Sequence, residues 1–180
     1  MSGSLFYDVA KVDQIAINLF YGWGYNFYRL ENQLRADDLV IREKACWLLG
    51  LSRAMVEAAE SGYRRTYLPP PSRARPLPDP DAVAGARSLE ALSAAVGDLA
   101  GIIRSLPVPD TDRMTQRYRH EAETLMALGA CDRRLVGLAE MLRQILEGRD
   151  HGWILAHQAD IREGLTLIAA QLRERQSLLK

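Results

Sequence analysis

The chain has 180 residues, enough for one domain, and its 23 basic and 23 acidic side chains give a formal net charge of zero. That balance provides no long-range attraction to nucleic acid or to an anionic membrane, and we expect neither as a partner. The sequence has no apolar run as long as a transmembrane helix and no signal-peptide pattern. It therefore predicts a cytoplasmic protein, and its Arg-, Ala- and Leu-rich composition is typical of a GC-rich bacterial genome.

The prolines define the organisation of the chain. All eight lie between Pro69 and Pro109, and six of them fall within 68–81. Because proline interrupts helix interiors, we expect 68–81 to be an extended polyproline-II linker, or alternatively a Pro-rich peptide for the groove of a partner. The rest of the chain predicts a single helical-bundle domain, made of a helical hairpin (7–66) and a three-helix segment (81–179).

Five helices are predicted from apolar residues spaced three and four apart, whereas the two-residue alternation of strands is absent. They cover 7–35, 38–66, 81–105, 110–147 and 153–179. Asp81 is the expected N-cap of the third helix and Asp110 or Thr111 that of the fourth, and Gly148 is expected to end the fourth. The fold class is therefore all-α, an antiparallel up-and-down bundle of four to five long helices with narrow apolar stripes and a Pro-rich linker.

The boundary between the first two helices depends on Asp37 and Asp38. The apolar stripe of the first helix continues in phase into the second, with no Gly or Pro between Tyr25 and Leu49. One continuous helix is therefore an alternative. Because Asp is a good N-cap residue and a mean helix has about 11–12 residues, we predict a tight turn at this place.

The segment Phe20–Tyr28 is the most unusual stretch, because six of its nine residues are aromatic in a chain that is 7% aromatic overall. Helical spacing places half of these rings on the core stripe and the three tyrosines on the opposite face, so both faces of the first helix are expected to be covered. The tyrosine face predicts internal packing, a protein interface or a platform for a ring ligand. The candidate residues are Tyr21, Trp23, Tyr25 and Tyr28.

Two carboxylates interrupt the apolar stripe of the fourth helix. Glu121 and Asp132 both fall at its centre, and the burial of a bare carboxylate is costly. We expect each to pair with an Arg or Tyr of a neighbouring helix, or alternatively to serve as a functional carboxylate inside the bundle. His157, beside the apolar face of the fifth helix, is a third buried polar candidate that could meet a carboxylate.

No catalytic or cofactor motif accompanies these residues. Di-iron bundles need paired Glu-x-x-His motifs, which the chain lacks, as it lacks a Gly-x-Ser-x-Gly elbow and a phosphate-binding glycine loop. Cys46 and Cys131 do not have the C-x-x-C spacing of zinc or redox sites and are expected to be free thiols. We therefore expect no metal, no cofactor and no catalytic residue.

The leading functional interpretation is a non-enzymatic accessory or regulatory protein that acts through protein contacts, as a homodimer formed through the first helix. The alternative is a binder of a small molecule or cofactor, with a cavity lined by the first-helix aromatics and by Glu121 or Asp132. A third interpretation is an enzyme that uses these carboxylates as acid and base.

Overall fold

The computed structural model describes residues 9–23, 34–73, 76–106 and 122–178. In these ranges the fold is all-helical, as predicted, and contains no strand. The helices are α1 (Val9–Trp23), α2 (Leu34–Tyr67), α3 (Pro80–Ser105), α4 (Ala122–Leu146), α5 (His151–Ala156) and α6 (Gln158–Leu178). None of these helices is long and apolar enough to cross a membrane.

The ends of α3 and α4 follow local signals. Asp79 caps α3 by accepting a hydrogen bond of 3.1 Å from the backbone N–H of Asp81. The N-cap thus lies two residues before the predicted Asp81, because Pro80 occupies the first helical position, where its missing N–H is not needed. Beyond α4, Gly148 has a φ of 68°, a left-handed conformation that glycine adopts without strain, and the predicted end of this helix is confirmed.

Two other predicted boundaries were wrong. α2 already begins at Leu34, so Asp37 and Asp38 lie inside the helix and mark no turn. The last predicted helix is divided at His157 into α5 and α6, and Asp150 caps α5 by accepting from the N–H of Trp153 at 2.8 Å. Residues 24–33, on which the continuity of α1 and α2 depends, lie outside the described residues, as do 107–121 with the expected cap Asp110.

The predicted apolar stripes of α2, α3 and α6 are buried, and α4 is buried more widely than a narrow stripe. From Leu135 to Leu142, every residue of α4 is buried. The reason is that α4 packs against α1, α2 and α6 along different sides. The main apolar residues of the stripes on α3 and α6 are Leu89, Leu92, Val96, Leu99, Ile103, Ile161, Leu165, Ile168 and Leu172.

α1 packs chiefly against α4 rather than against α2, its neighbour in sequence. The two helices meet at Gly137, where an added Cβ atom would lie 2.6 Å from the carbonyl oxygen of Val12 and 3.3 Å from the Cβ of Ala16. Val12 and Ala16 are both buried. Because Gly137 has no side chain, the backbones of α1 and α4 can approach each other this closely.

The Pro-rich linker is described at 68–73 and 76–79, where it forms neither helix nor strand. Its residues are exposed apart from Leu68, and Leu77 is 80% exposed. The described part of the linker therefore contributes little to the core.

Candidate functional site

The aromatic candidates lie at the edge of what the structure describes. Tyr21 and Trp23 belong to α1, but their side chains lie outside the described part of the chain. Tyr25, Tyr28 and Glu121 lie outside it entirely. Their roles as an interface, a ligand platform or a buried carboxylate stay predictions.

Asp132 lies deep in the fold, and Arg175 of α6 is its partner. The side chains of Asp132 and Arg175 are 1% and 2% exposed. Nε of Arg175 donates to Oδ1 of Asp132, and Nη2 lies 3.5 Å from Oδ2, so the guanidinium faces both carboxylate oxygens. This contact supplies the positive charge that a carboxylate buried so deeply requires.

The same guanidinium reaches a second buried carboxylate, on α2. Nη1 of Arg175 donates to Oδ1 of Asp38 at 2.7 Å. The other oxygen of Asp38, Oδ2, lies 3.1 Å from Nε of Arg42, one turn further along α2. Carboxylates and guanidinium groups therefore alternate across α4, α6 and α2.

Arg42 extends this network to the C-terminal end of α3. Its Nη1 donates to the carbonyl oxygen of Leu106 at 2.5 Å and lies 3.4 Å from that of Ile103. Carbonyl groups at the end of a helix lack intrahelical partners and carry the negative end of the helix dipole, so a cation is favourable there. Four helices are thus joined by one buried chain of charges, which we call the charge cluster: Asp38, Arg42, Asp132 and Arg175.

The charge cluster is suited to holding helices together rather than to chemistry. Both oxygens of Asp132 face Arg175, and the two oxygens of Asp38 face Arg175 and Arg42. A general base or a metal-binding carboxylate needs an oxygen that is open to a ligand. In the ranges that the structure describes, no group of three or more His, Cys, Asp and Glu side chains is placed to hold a metal ion.

His157 is partly buried and lies against Trp153 of α5. Its Nδ1 is 2.9 Å from the Trp153 carbonyl oxygen, and its ring stacks on the indole with 4.0 Å between centroids. His151 also belongs to α5 and meets Tyr63 and Tyr67 of α2 edge-on, at 5.5 and 5.6 Å between ring centroids. His151 thus packs α5 onto α2 through its ring, whereas the contacts of His157 are with Trp153 of α5 itself.

Cys46 and Cys131 are free thiols, as their spacing predicted, and the structure shows that both are buried. Burial raises the pKa of the Cys46 thiol, although the nearby Arg104 favours the thiolate. Burial also raises the pKa of Cys131, and the carboxylates of Glu174 and Asp132 add to this effect. Because the thiolate is the reactive form, neither cysteine is suited to nucleophilic catalysis.

We expect both thiols to resist alkylation in the folded protein, because they are buried and their pKa values are raised. Iodoacetamide at about pH 8 should modify Cys46 and Cys131 far more slowly in buffer than in concentrated urea, as followed by mass spectrometry. Rapid modification of either residue in the native protein would contradict its buried position.

An extended apolar surface runs along the solvent side of α2. Its residues recur at helical spacing and are all exposed: Leu39, Val40, Trp47, Gly50, Ala54 and Ala58. Trp47 is 51% exposed, and Nζ of Lys44 lies 4.4 Å from the centroid of its ring. Single exposed apolar residues are ordinary, whereas this row includes a tryptophan and is interrupted by one charged residue, the exposed Glu43. We call these six residues the α2 face.

Sequence reasoning missed Arg175, Arg42 and the α2 face. Arg175 lies three residues after Leu172, in the gap that the predicted stripe of the last helix leaves between Leu172 and Leu179, so the helical period already contained a signal that this arginine is buried. Trp47 lies off the predicted stripe of α2, which is the corresponding signal for an exposed aromatic residue. Asp38 was misinterpreted because a helix start was expected at that position.

Comparison with known proteins assigns no family. No protein-family model matches the chain, and neither a curated protein nor a solved structure matches it. Function is therefore inferred from the geometry and chemistry of the described residues.

Proposed function

We propose that this protein is a non-enzymatic accessory or regulatory protein of the cytoplasm, and that it acts through protein–protein contacts made by the α2 face. The supporting observation is the exposed apolar row from Leu39 to Ala58, with Trp47 at its centre. Tryptophan is enriched among the residues that dominate interface energetics. About half of the Trp47 side chain is exposed to water, and its burial against a partner would stabilise the complex through the hydrophobic effect.

Charged residues lie both within and beside the α2 face: Glu43 is inside it, one turn before Trp47, whereas Arg53 and Glu57 lie along one edge. Glu43 is exposed beside Trp47, and Arg53 and Glu57 are 51% and 49% exposed and form an ion pair of 2.7 Å. Both signs of charge are thus present on this side of α2, which differs from a basic nucleic-acid surface. The homodimer expected from the sequence uses the first helix, so a dimer through the α2 face would be a different arrangement.

The alternative, a small-molecule or cofactor binder with a buried carboxylate, receives less support. Of its two candidate carboxylates, Asp132 already has both oxygens facing Arg175. A ligand would have to displace this internal ion pair, at a cost comparable to breaking a buried salt bridge.

The proposal predicts that a charge in the α2 face abolishes protein contacts while the fold persists. Trp47→Glu should remove stoichiometric partners that co-purify with the wild-type protein from its native host, or remove its self-association. Ile102→Glu on α3 is the matched control, because Ile102 is 53% exposed but lies outside the α2 face. Circular dichroism should show folded protein for both variants. If Trp47→Glu retained every contact of the wild type, the α2 face would not be the contact surface.

A further inference from the structure

We infer that the partner of the α2 face is the α2 face of a second copy. The two helices pack antiparallel, and their two-fold axis lies between the helices, at the level along α2 where Leu48 is joined to Leu49. This inference rests on the proposed function and names the partner. Three observations carry it: the open glycine at position 50, the alternation of large and small residues, and the positions of the charges within and beside the α2 face.

Gly50 lies in the middle of α2, a helix of 34 residues, where glycine weakens a helix relative to alanine. A Cβ atom added at Gly50 would meet nothing within 4 Å. The neighbours of Gly50 in the described fold therefore do not require a glycine, in contrast to Val12 and Ala16 at Gly137. An added Cβ at Gly62 or Gly101 would likewise meet none of the described residues within 4 Å, but Gly50 differs from both in lying on the α2 face beside Trp47. Close approach of a second molecule at this face would give Gly50 a physical reason.

A two-fold axis between Leu48 and Leu49 pairs large residues with small ones. Since each residue rises about 1.5 Å along a helix, the axis sets Trp47 of one copy opposite Gly50 of the other. The same symmetry sets Leu39 opposite Ala58. Each contact occurs twice, as an isologous interface requires, and the indole ring lies where the facing helix has no side chain.

The charges within and beside the α2 face favour the antiparallel arrangement. In it, Glu43 of one copy lies opposite Ala54 and beside Arg53 of the other, so that Arg53, which pairs with Glu57 at 2.7 Å, gains a second carboxylate across the axis. A parallel arrangement would set Glu43 against Glu43 and Trp47 against Trp47. The antiparallel pairing therefore avoids both the like-charge contact and the collision of the two indole rings.

The dimer should be reversible, because the contact is narrow. The distance from Leu39 to Ala58 along the helix is about 28 Å. One helix face of this length buries less than the ~800 Å² per partner of a standard interface. We therefore expect a dissociation constant in the micromolar range, roughly 1–100 µM.

Sedimentation and light scattering across about 1–300 µM protein test the inference. The wild type should change from monomer to dimer in this range, and Gly50→Gln should weaken the dimer by about tenfold or more, because the new side chain occupies the place of the indole ring. Gly62→Gln is the matched control on the same helix, since a Cβ at Gly62 also meets nothing within 4 Å. Both substitutions should increase helix stability, so a loss of dimer at position 50 alone does not come from unfolding.

The register is tested by disulfide formation in a variant that carries both Glu43→Cys and Ala54→Cys. Mild oxidation should convert this variant to a covalent dimer, whereas either single variant should remain largely uncross-linked. A wild type that is monomeric over the whole range, or a dimer that Gly50→Gln leaves unchanged, would overturn the inference. In either case the proposed function would still stand if Trp47→Glu, but not Ile102→Glu, removed a host partner.

Discussion

Replacement of Arg175 by methionine should lower the free energy of unfolding by about 3–5 kcal/mol, the usual cost of leaving buried charges without their partner. The guanidinium of Arg175 contacts both Asp132 and Asp38, and all three side chains are at most 2% exposed. Methionine fills a comparable apolar volume but carries no charge, so two carboxylates would remain in the interior with one fewer cation. Urea denaturation followed by circular dichroism measures the effect.

Two variants make this result specific. Arg173→Met removes an exposed arginine from the same helix and should change stability by less than about 0.5 kcal/mol. Adding Asp132→Asn to Arg175→Met should recover part of the lost unfolding free energy, because the asparagine amide carries no charge into the interior. The effects of the two substitutions are not expected to add, since the two residues are in contact. A loss below about 1 kcal/mol for Arg175→Met would show that the charge cluster does not anchor the fold.

Replacement of Gly137 by alanine should destabilise the docking of α1 by about 1–3 kcal/mol, the usual range for overpacking. The new Cβ atom would lie 2.6 Å from the carbonyl oxygen and 2.9 Å from Cγ1 of Val12. A backbone oxygen has no rotamer through which it can move away, so α1 must shift as a whole. Hydrogen exchange should show the loss of protection concentrated in Val9–Trp23, with a smaller loss in α2 and α3.

Gly62→Ala is the control for Gly137→Ala, and its effect should have the opposite sign. Gly62 is helical and a Cβ there meets nothing within 4 Å, so alanine should stabilise the protein by up to ~1 kcal/mol. If alanine at position 137 were also stabilising, α1 would not rest on α4 through this glycine.

The charge cluster also bears on the proposed function, because it holds the first turns of α2. Asp38 and Arg42 belong to the cluster, and Leu39 and Val40 of the α2 face lie between them in sequence. Inward charges thus hold this part of α2 against α3 and α6 while the apolar side chains point outward. A contact surface on a rigid element loses less conformational entropy when it binds.

Much of the fold could be predicted from the sequence, because helix formation depends on local patterns. The stripe of Leu89, Leu92 and Val96 follows the period of an α-helix and is buried as expected. Gly148 ends α4 because it adopts a left-handed backbone conformation. That preference belongs to the glycine residue itself and can therefore be predicted locally. The predicted start of α2 was wrong because Asp37 and Asp38 are good N-cap residues, but Asp38 is tolerated inside the helix, where the buried Arg42 and Arg175 pair with it.

The sequence by itself determined the helical class, most of the buried stripes and the fact that a carboxylate at position 132 would need a partner if buried. Only the tertiary structure decided that this partner is Arg175, that Arg175 also binds Asp38 at a separation of 137 positions, and that α1 rests on α4. It likewise decided which side of α2 the described residues leave exposed, and hence where the α2 face lies. The physical reason is that periodicity specifies which face of a helix is apolar, whereas the choice of neighbour depends on packing between segments that are distant in sequence.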